Sequence, residues 1–134
     1  LSPSNTYNDM RDSDPITTFS FAVSALSKMG ISYVHIMEAS ESDLRHGGKA
    51  IPVTVFRPHF EGTLIVNQDY DQAKAEAVLA RGDADLVSFA RLFLANPDLP
   101  TRFERGSKLN AADPATFYGG GEKGYTDYPS LEAA

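Results

Sequence analysis

The chain has 134 residues, 42% of them hydrophobic, a formal net charge of −6 and no cysteine. That length suits one ordinary globular domain, and the acidic balance argues against the basic surface that nucleic acid requires. Without thiols there is no disulfide, no thiolate nucleophile and no Cys-ligated metal, and no apolar run approaches the roughly 20 residues that cross a bilayer.

In chain order, residues 1–13 are polar and turn-like. Asp14-Pro15 then reads as an N-cap followed by proline at the first helical position. Ile16, Phe19, Val23 and Leu26 follow at spacings of three and four, which predicts an amphipathic helix closed by Lys28 and Gly30. Ile31 to Met37 is a short β-branched and aromatic run that suits a buried strand. The charged stretch Glu38 to Ala50, with Gly47-Gly48, reads as a loop, and a short helix is expected over 51–58 between Pro52 and Pro58. Thr63 to Val66 is the next strand, Asp71 to Arg81 a helix ended by Gly82, and Asp85 to Phe89 the third strand. Asn96-Pro97-Asp98 caps a last short helix through Glu104, and beyond Gly106 the chain is an irregular tail rich in Gly and Tyr.

Strands alternating with helices imply right-handed crossovers and a parallel sheet. Three strands close nothing, and a parallel sheet wants both faces covered. A (β/α)₈ barrel takes about 250 residues, so the periodicity allows either a small open α/β domain or the end of a barrel. The chain does not begin with Met and shows no signal peptide, which suggests a processed product, an engineered piece or one segment of something longer. A cytoplasmic location is the expectation.

Ligands of a parallel α/β unit collect at the carboxyl ends of its strands. Three places qualify. One is Asn67-Gln68-Asp69-Tyr70, and a second is Ser88-Phe89-Ala90-Arg91. Adjacent loops with backbone N–H groups and one arginine make a phosphate cradle; the competing reading of Arg91 is a surface arginine paired with Asp83 or Asp85. The third is the loop carrying Glu38, Asp43, His46 and Lys49, which solvation alone also explains. His35 reads as a satisfied core or interface histidine, and His59 has no carboxylate pair nearby in sequence. No His/Asp/Glu spacing matches a metal site, and Gly119–Gly121 follows no strand, so it is not a dinucleotide fingerprint.

The phrases ADLVSFARLFLANPDLPTRF (84–103), TFYGGGEKGYTDYPSL (116–131) and LSPSNTYNDMRDSDP (1–15) together resemble the Old Yellow Enzyme family, and within it the bacterial 2-enoate and N-ethylmaleimide reductases. The resemblance implies the C-terminal part of a TIM barrel, with Leu1-Ser2-Pro3 at the exit of strand five and the three strands here as strands six, seven and eight. It implies FMN at the carboxyl face and NADPH or NADH as hydride donor. The amides of Gln68, Asp69, Ser88 and Ala90 and the guanidinium of Arg91 match the phosphate site. Phe117 and Tyr118 match an aromatic pair at the flavin edge and the substrate entrance. The family often has Gly or Ala where Gln68 and Asp69 stand, and Gly where Ala90 stands. Ala90 fits if its φ is negative, and the Asp69 carboxylate has to point away from a phosphate.

The same resemblance puts the flavin-contacting arginine, the carbonyl-binding His/His or His/Asn pair and the proton-delivering tyrosine upstream of Leu1. No residue here matches a catalytic position, Tyr7, Tyr70 and Tyr118 included. The implied activity is reduction of the C=C bond of an activated alkene, completed by a complementary N-terminal segment carrying strands one to five; this chain alone is expected to be inactive. Two other readings stand beside it: a non-catalytic half-barrel that associates through its open sheet edge, and another phosphate-binding barrel enzyme such as an aldolase or isomerase, which leaves the 116–131 tail unexplained.

Overall fold

The computed structural model describes residues 1–44, 48–118 and 121–131. His46, Gly47, Gly119 and Gly120 therefore lie outside the described residues. Two units divide the chain, Leu1–Ser88 and Phe89–Ala134.

In the first unit, local chemistry sets the helices. Helix α1, Pro15–Lys28, is capped by the Asp14 carboxylate, which accepts the Thr17 N–H at 3.3 Å. Gly30 follows it at φ +70°, a conformation that costs glycine nothing. Helix α2, Gln72–Ala80, repeats the device, with Asp71 accepting the Lys74 N–H at 2.8 Å and Gly82 at φ +73° beyond its end. The helix expected over 51–58 is instead two 3₁₀ turns, Val53–Val55 and Arg57–His59, meeting at Phe56. Pro58 lacks the N–H that a continuous α-helix would use, and the β-branched valines resist one.

Strands β1 (Tyr33–Met37), β2 (Thr63–Asn67) and β3 (Leu86–Val87) form one parallel sheet in the order β1-β2-β3. His35 pairs with Ile65 and Ile65 with Leu86, so each strand adds beside the one before it. The three strands progress in one direction without a switch point, as in a barrel wall or in one half of a doubly wound sheet. Leu1 extends the sheet beyond β1, its nitrogen donating to the His35 carbonyl at 2.6 Å and its carbonyl accepting the Met37 N–H at 2.8 Å.

The two faces of this sheet differ. Val34, Ile36, Leu64 and Val66 are buried against Val23 of α1, Val78 of α2 and the aromatics Phe56 and Phe60. At about 25 cal/mol per Å² of apolar surface, this face is the main source of the unit's stability. The opposite face is open: Tyr33 is 59% and Leu86 52% exposed. At the amino end of β3, Asp85 accepts both the Leu64 N–H (2.7 Å) and the Arg57 guanidinium (2.6 Å), which holds its carboxyl below the ordinary range, the backbone bond first.

The second unit holds α3 (Arg91–Ala95) and α4 (Leu99–Arg105), with a 3₁₀ turn at Pro114–Thr116. Helix α3 was not expected from the sequence, and Gly106 ends α4 at φ +59°. The motif between the helices is a clasp for the tail. Asn96 is fully buried; its amide donates to the Leu92 carbonyl at 2.9 Å and its Oδ1 accepts the Asn110 N–H at 2.7 Å. Asp98 accepts Arg102 Nε and the Leu131 N–H, both at 2.7 Å. Arg102, only 4% exposed, also donates to the carbonyls of Lys108 (2.6 Å) and Pro129 (2.8 Å). A buried guanidinium is tolerated only when its donors are satisfied in this way.

Candidate functional site

The loop leaving β2 is pinned at every residue. The Asn67 side-chain amide donates to the Ser88 carbonyl at 2.7 Å, drawing the ends of β2 and β3 together. Gln68 and Asp69 both have positive φ, +126° and +48°, the region that favours glycine. The Gln68 side chain donates to Asp43 Oδ2 at 2.5 Å, and Lys74 Nζ donates to the Asp69 carbonyl at 3.2 Å. Tyr70 donates its hydroxyl to Glu38 at 2.8 Å, while Glu38 also accepts the Val53 N–H at 2.7 Å. Burial first, then the Glu38 carboxylate, push the Tyr70 phenol well above its usual value, so it stays a donor. It ties the loop after β2 to Glu38 in the loop after β1.

Ser88 requires a correction. Its N–H donates to the Val66 carbonyl at 2.8 Å as the last bond of the sheet, so this amide is already committed and is not the phosphate donor expected of it. Its hydroxyl shares a hydrogen bond of 2.9 Å with His35 Nε2. Of the two readings of His35, core or interface, the core one does not hold: it stands exposed on the open face of the sheet. Lost hydration lowers its pKa.

In the second unit, Ala90 is the N-cap of α3 with φ −93°, so its methyl group meets no backbone strain, and Arg91 opens the helix. Asp83 and Asp85 each hold an arginine of the first unit, Arg81 and Arg57, both at 2.6 Å. Phe117 and Tyr118 pack edge to face with centroids 6.4 Å apart, and Tyr118 is 99% exposed. Tyr125 donates its hydroxyl to the Phe117 carbonyl. The Gly124 N–H donates to Asp127 at 2.7 Å, and Tyr128 accepts the Asp113 N–H at 2.8 Å.

The residues that position this aromatic pair were not singled out from the sequence. Their signal was the spacing of the GYTDYP run. Elsewhere, His59 Nδ1 meets Ser24 Oγ at 3.3 Å, and Tyr7 is 68% exposed. Among the described residues no cluster of His, Asp and Glu could hold a metal, and no helix is long and apolar enough to cross a membrane.

The chain matches the profile of the NADH:flavin oxidoreductase / NADH oxidase family over residues 1–110. It is 44% identical over 136 residues to the putative 12-oxophytodienoate reductase 2 of Oryza sativa subsp. japonica, covering 98% of this chain and 36% of that protein. A 12-oxophytodienoate reductase-like protein of Solanum lycopersicum is 41% identical, with 100% of this chain and 36% of that one covered. Among solved structures, morphinone reductase superposes with a TM-score of 0.87 at 40% identity, over 98% of this chain and 35% of that one. The Old Yellow Enzyme homologue from Zymomonas mobilis superposes at 0.90 with 35% identity, over 98% and 37%. These neighbours are Old Yellow Enzyme-type TIM barrels, of which this chain matches an α/β portion with a three-stranded parallel sheet. The chain belongs to the NADH:flavin oxidoreductase / NADH oxidase family. It spans little more than a third of the length of the plant relatives it matches. They are plant 12-oxophytodienoate reductases, where the sequence pointed to a bacterial branch.

Proposed function

We propose that this chain is part of an FMN-dependent, NAD(P)H-consuming ene-reductase acting on activated alkenes, and that it supplies the flavin-phosphate site and one side of the substrate cavity. One observation carries the reading. A chain of this family turns its backbone, at the carboxyl end of a central parallel strand, into two successive left-handed residues, Gln68 and Asp69. That is where a barrel binds its ligand.

The residues fit a phosphate in three respects. The Gln68–Asp69 backbone holds conformations that turn main-chain amides out of the sheet direction. Lys74 brings a positive charge beside Asp69, offsetting its carboxylate. Ala90 has the negative φ that its methyl group needs. With FMN bound, the chemistry supplied is hydride transfer between NAD(P)H and the alkene β-carbon. On the family resemblance, the amides of Gln68, Asp69 and Ala90 would hold the phosphate, and Arg91 would be its charged partner. Ser88 takes a different part from the one first expected: with its amide on Val66 and its hydroxyl on His35, it fixes the end of β3. On the same resemblance, Phe117 and Tyr118 would stand at the flavin edge and the substrate entrance. The proton is left to residues outside this chain.

The open face of the sheet, with Tyr33, His35 and Leu86 on it, supports placing these strands as six to eight of a barrel. A complementary segment with strands one to five would then cover it. Membership of the bacterial 2-enoate and N-ethylmaleimide reductase branch, activated alkenes such as enones, enals and maleimides as substrates, and a cytoplasmic location belong to the same proposal. Among the described residues β3 ends the sheet, paired with β2 alone, which also favours a second reading, a non-catalytic half-barrel that associates through its open sheet edge. The visible flavin spectrum separates the two. The assembled protein is expected to carry bound flavin at full occupancy; a colourless, correctly folded assembly would leave only the second reading.

A further inference from the structure

We propose that Asp43 is a positioning residue for the flavin-phosphate loop, acting through the side chain of Gln68; this rests on the reading of that loop given above. Two successive residues with side chains stand at φ +126° and +48°, where an L-residue is disfavoured and only its surroundings can hold it. Gln68 is held by its own side chain, which reaches Asp43 Oδ2 at 2.5 Å across 25 residues of sequence. The acceptor is itself fixed. The same Asp43 oxygen takes the Ser40 N–H at 2.9 Å and the Ser40 hydroxyl at 2.7 Å, and the Asp43 carbonyl takes the amide and hydroxyl of Thr6. Three hydrogen bonds to one carboxylate oxygen hold its position. Two residues further along, Tyr70 and Glu38 make a second tie between the same pair of loops at 2.8 Å. Segments 38–43 and 67–70 are therefore joined at two points. A displacement of the first is passed to the backbone of Gln68 and Asp69.

Asp43 touches neither flavin nor substrate in this account, so its test has to separate positioning from general stability. In the complete flavoprotein, Asp43→Ala is expected to raise the FMN dissociation constant about tenfold, the scale of one charge-assisted hydrogen bond. Asp43→Asn, which keeps an acceptor oxygen, should recover most of that loss. In a Gln68→Gly background, where the backbone conformation no longer needs holding, Asp43→Ala should change the constant less than twofold. In the flavin-free protein, the ¹⁵N order parameters of the 68 and 69 amides should fall on Asp43→Ala and not on Asp43→Asn. The proposal is overturned if FMN affinity is unchanged by Asp43→Ala, or if the loss is equally large with glycine at 68. Should Asp43→Ala fail to fold, Gln68→Met removes the same bond from the other partner and has to show the same loss. If the parent protein holds no FMN while the amides still loosen, the clasp stands and the flavin reading falls; if the amides do not loosen, the clasp falls.

Discussion

Arg102 shows most plainly what a single side chain does here. Its guanidinium is buried, and its contacts reach Asp98, Lys108 and Pro129, so one residue of α4 gathers the start of that helix and two points of the tail. Arg102→Ala leaves two carbonyls and a carboxylate without their donor, and it should lower the stability of the second unit by about 3 kcal/mol in urea unfolding. A loss under half a kcal/mol would mean that water takes over these contacts. Asp98 is the matching acid. The Leu131 N–H first, then Arg102, hold its carboxyl below the usual range. A carboxylate whose folded pKa lies below its unfolded value stabilises the fold above the unfolded value. That contribution is lost as pH falls through the depressed folded one. Asp98→Asn should therefore be less stable than the parent at neutral pH and should flatten the acid limb of the stability curve. An unaltered acid limb would assign the acid sensitivity to other carboxylates.

At the scale of elements, turns and caps decide where the chain can bend. Gly124 stands at φ +77°, and a Cβ built there would lie 1.9 Å from Thr116 Oγ1. Gly124→Ala has to shift the turn that carries Asp127 and Tyr128, and with it the hold on Phe117. It should make the 107–131 segment more sensitive to limited proteolysis while α1 and α2 stay protected; cleavage at the parental rate would contradict this. The sequence made α1 and α2 legible because their signals are local: an aspartate before the first turn and a glycine after the last. It left α3 unread because Arg91 to Ala95 is too short to show a period. It overran at 51–58, where apolar residues suggested a helix that proline divides. The third strand, expected over 85–89, is narrower, since only Leu86 and Val87 sit in full register with β2. The hydrogen bonding around the candidate loops was not legible in the sequence. That the Ser88 amide belongs to the sheet follows from strand register, and that Asp43 holds Gln68 follows from two loops meeting. Neither is written in any local run of residues.

For the whole molecule, the open sheet face and the matched length tell the same story. Leu86 and Tyr33 lie on a surface that a parallel sheet ordinarily covers, and the chain accounts for 36% of the rice reductase it matches. What the account assigns to this portion is grip on the phosphate rather than the redox step, and that claim can be isolated by comparing FMN with riboflavin, which lacks the phosphate. The dissociation constants of both should be measured in the complete flavoprotein and in its Arg91→Ala variant. The parent should prefer FMN, and the variant should lose about ten- to a hundredfold in FMN affinity while binding riboflavin as before, the scale of a charge-assisted contact. An Arg91→Ala protein that still distinguishes the two ligands as well as its parent would contradict the account.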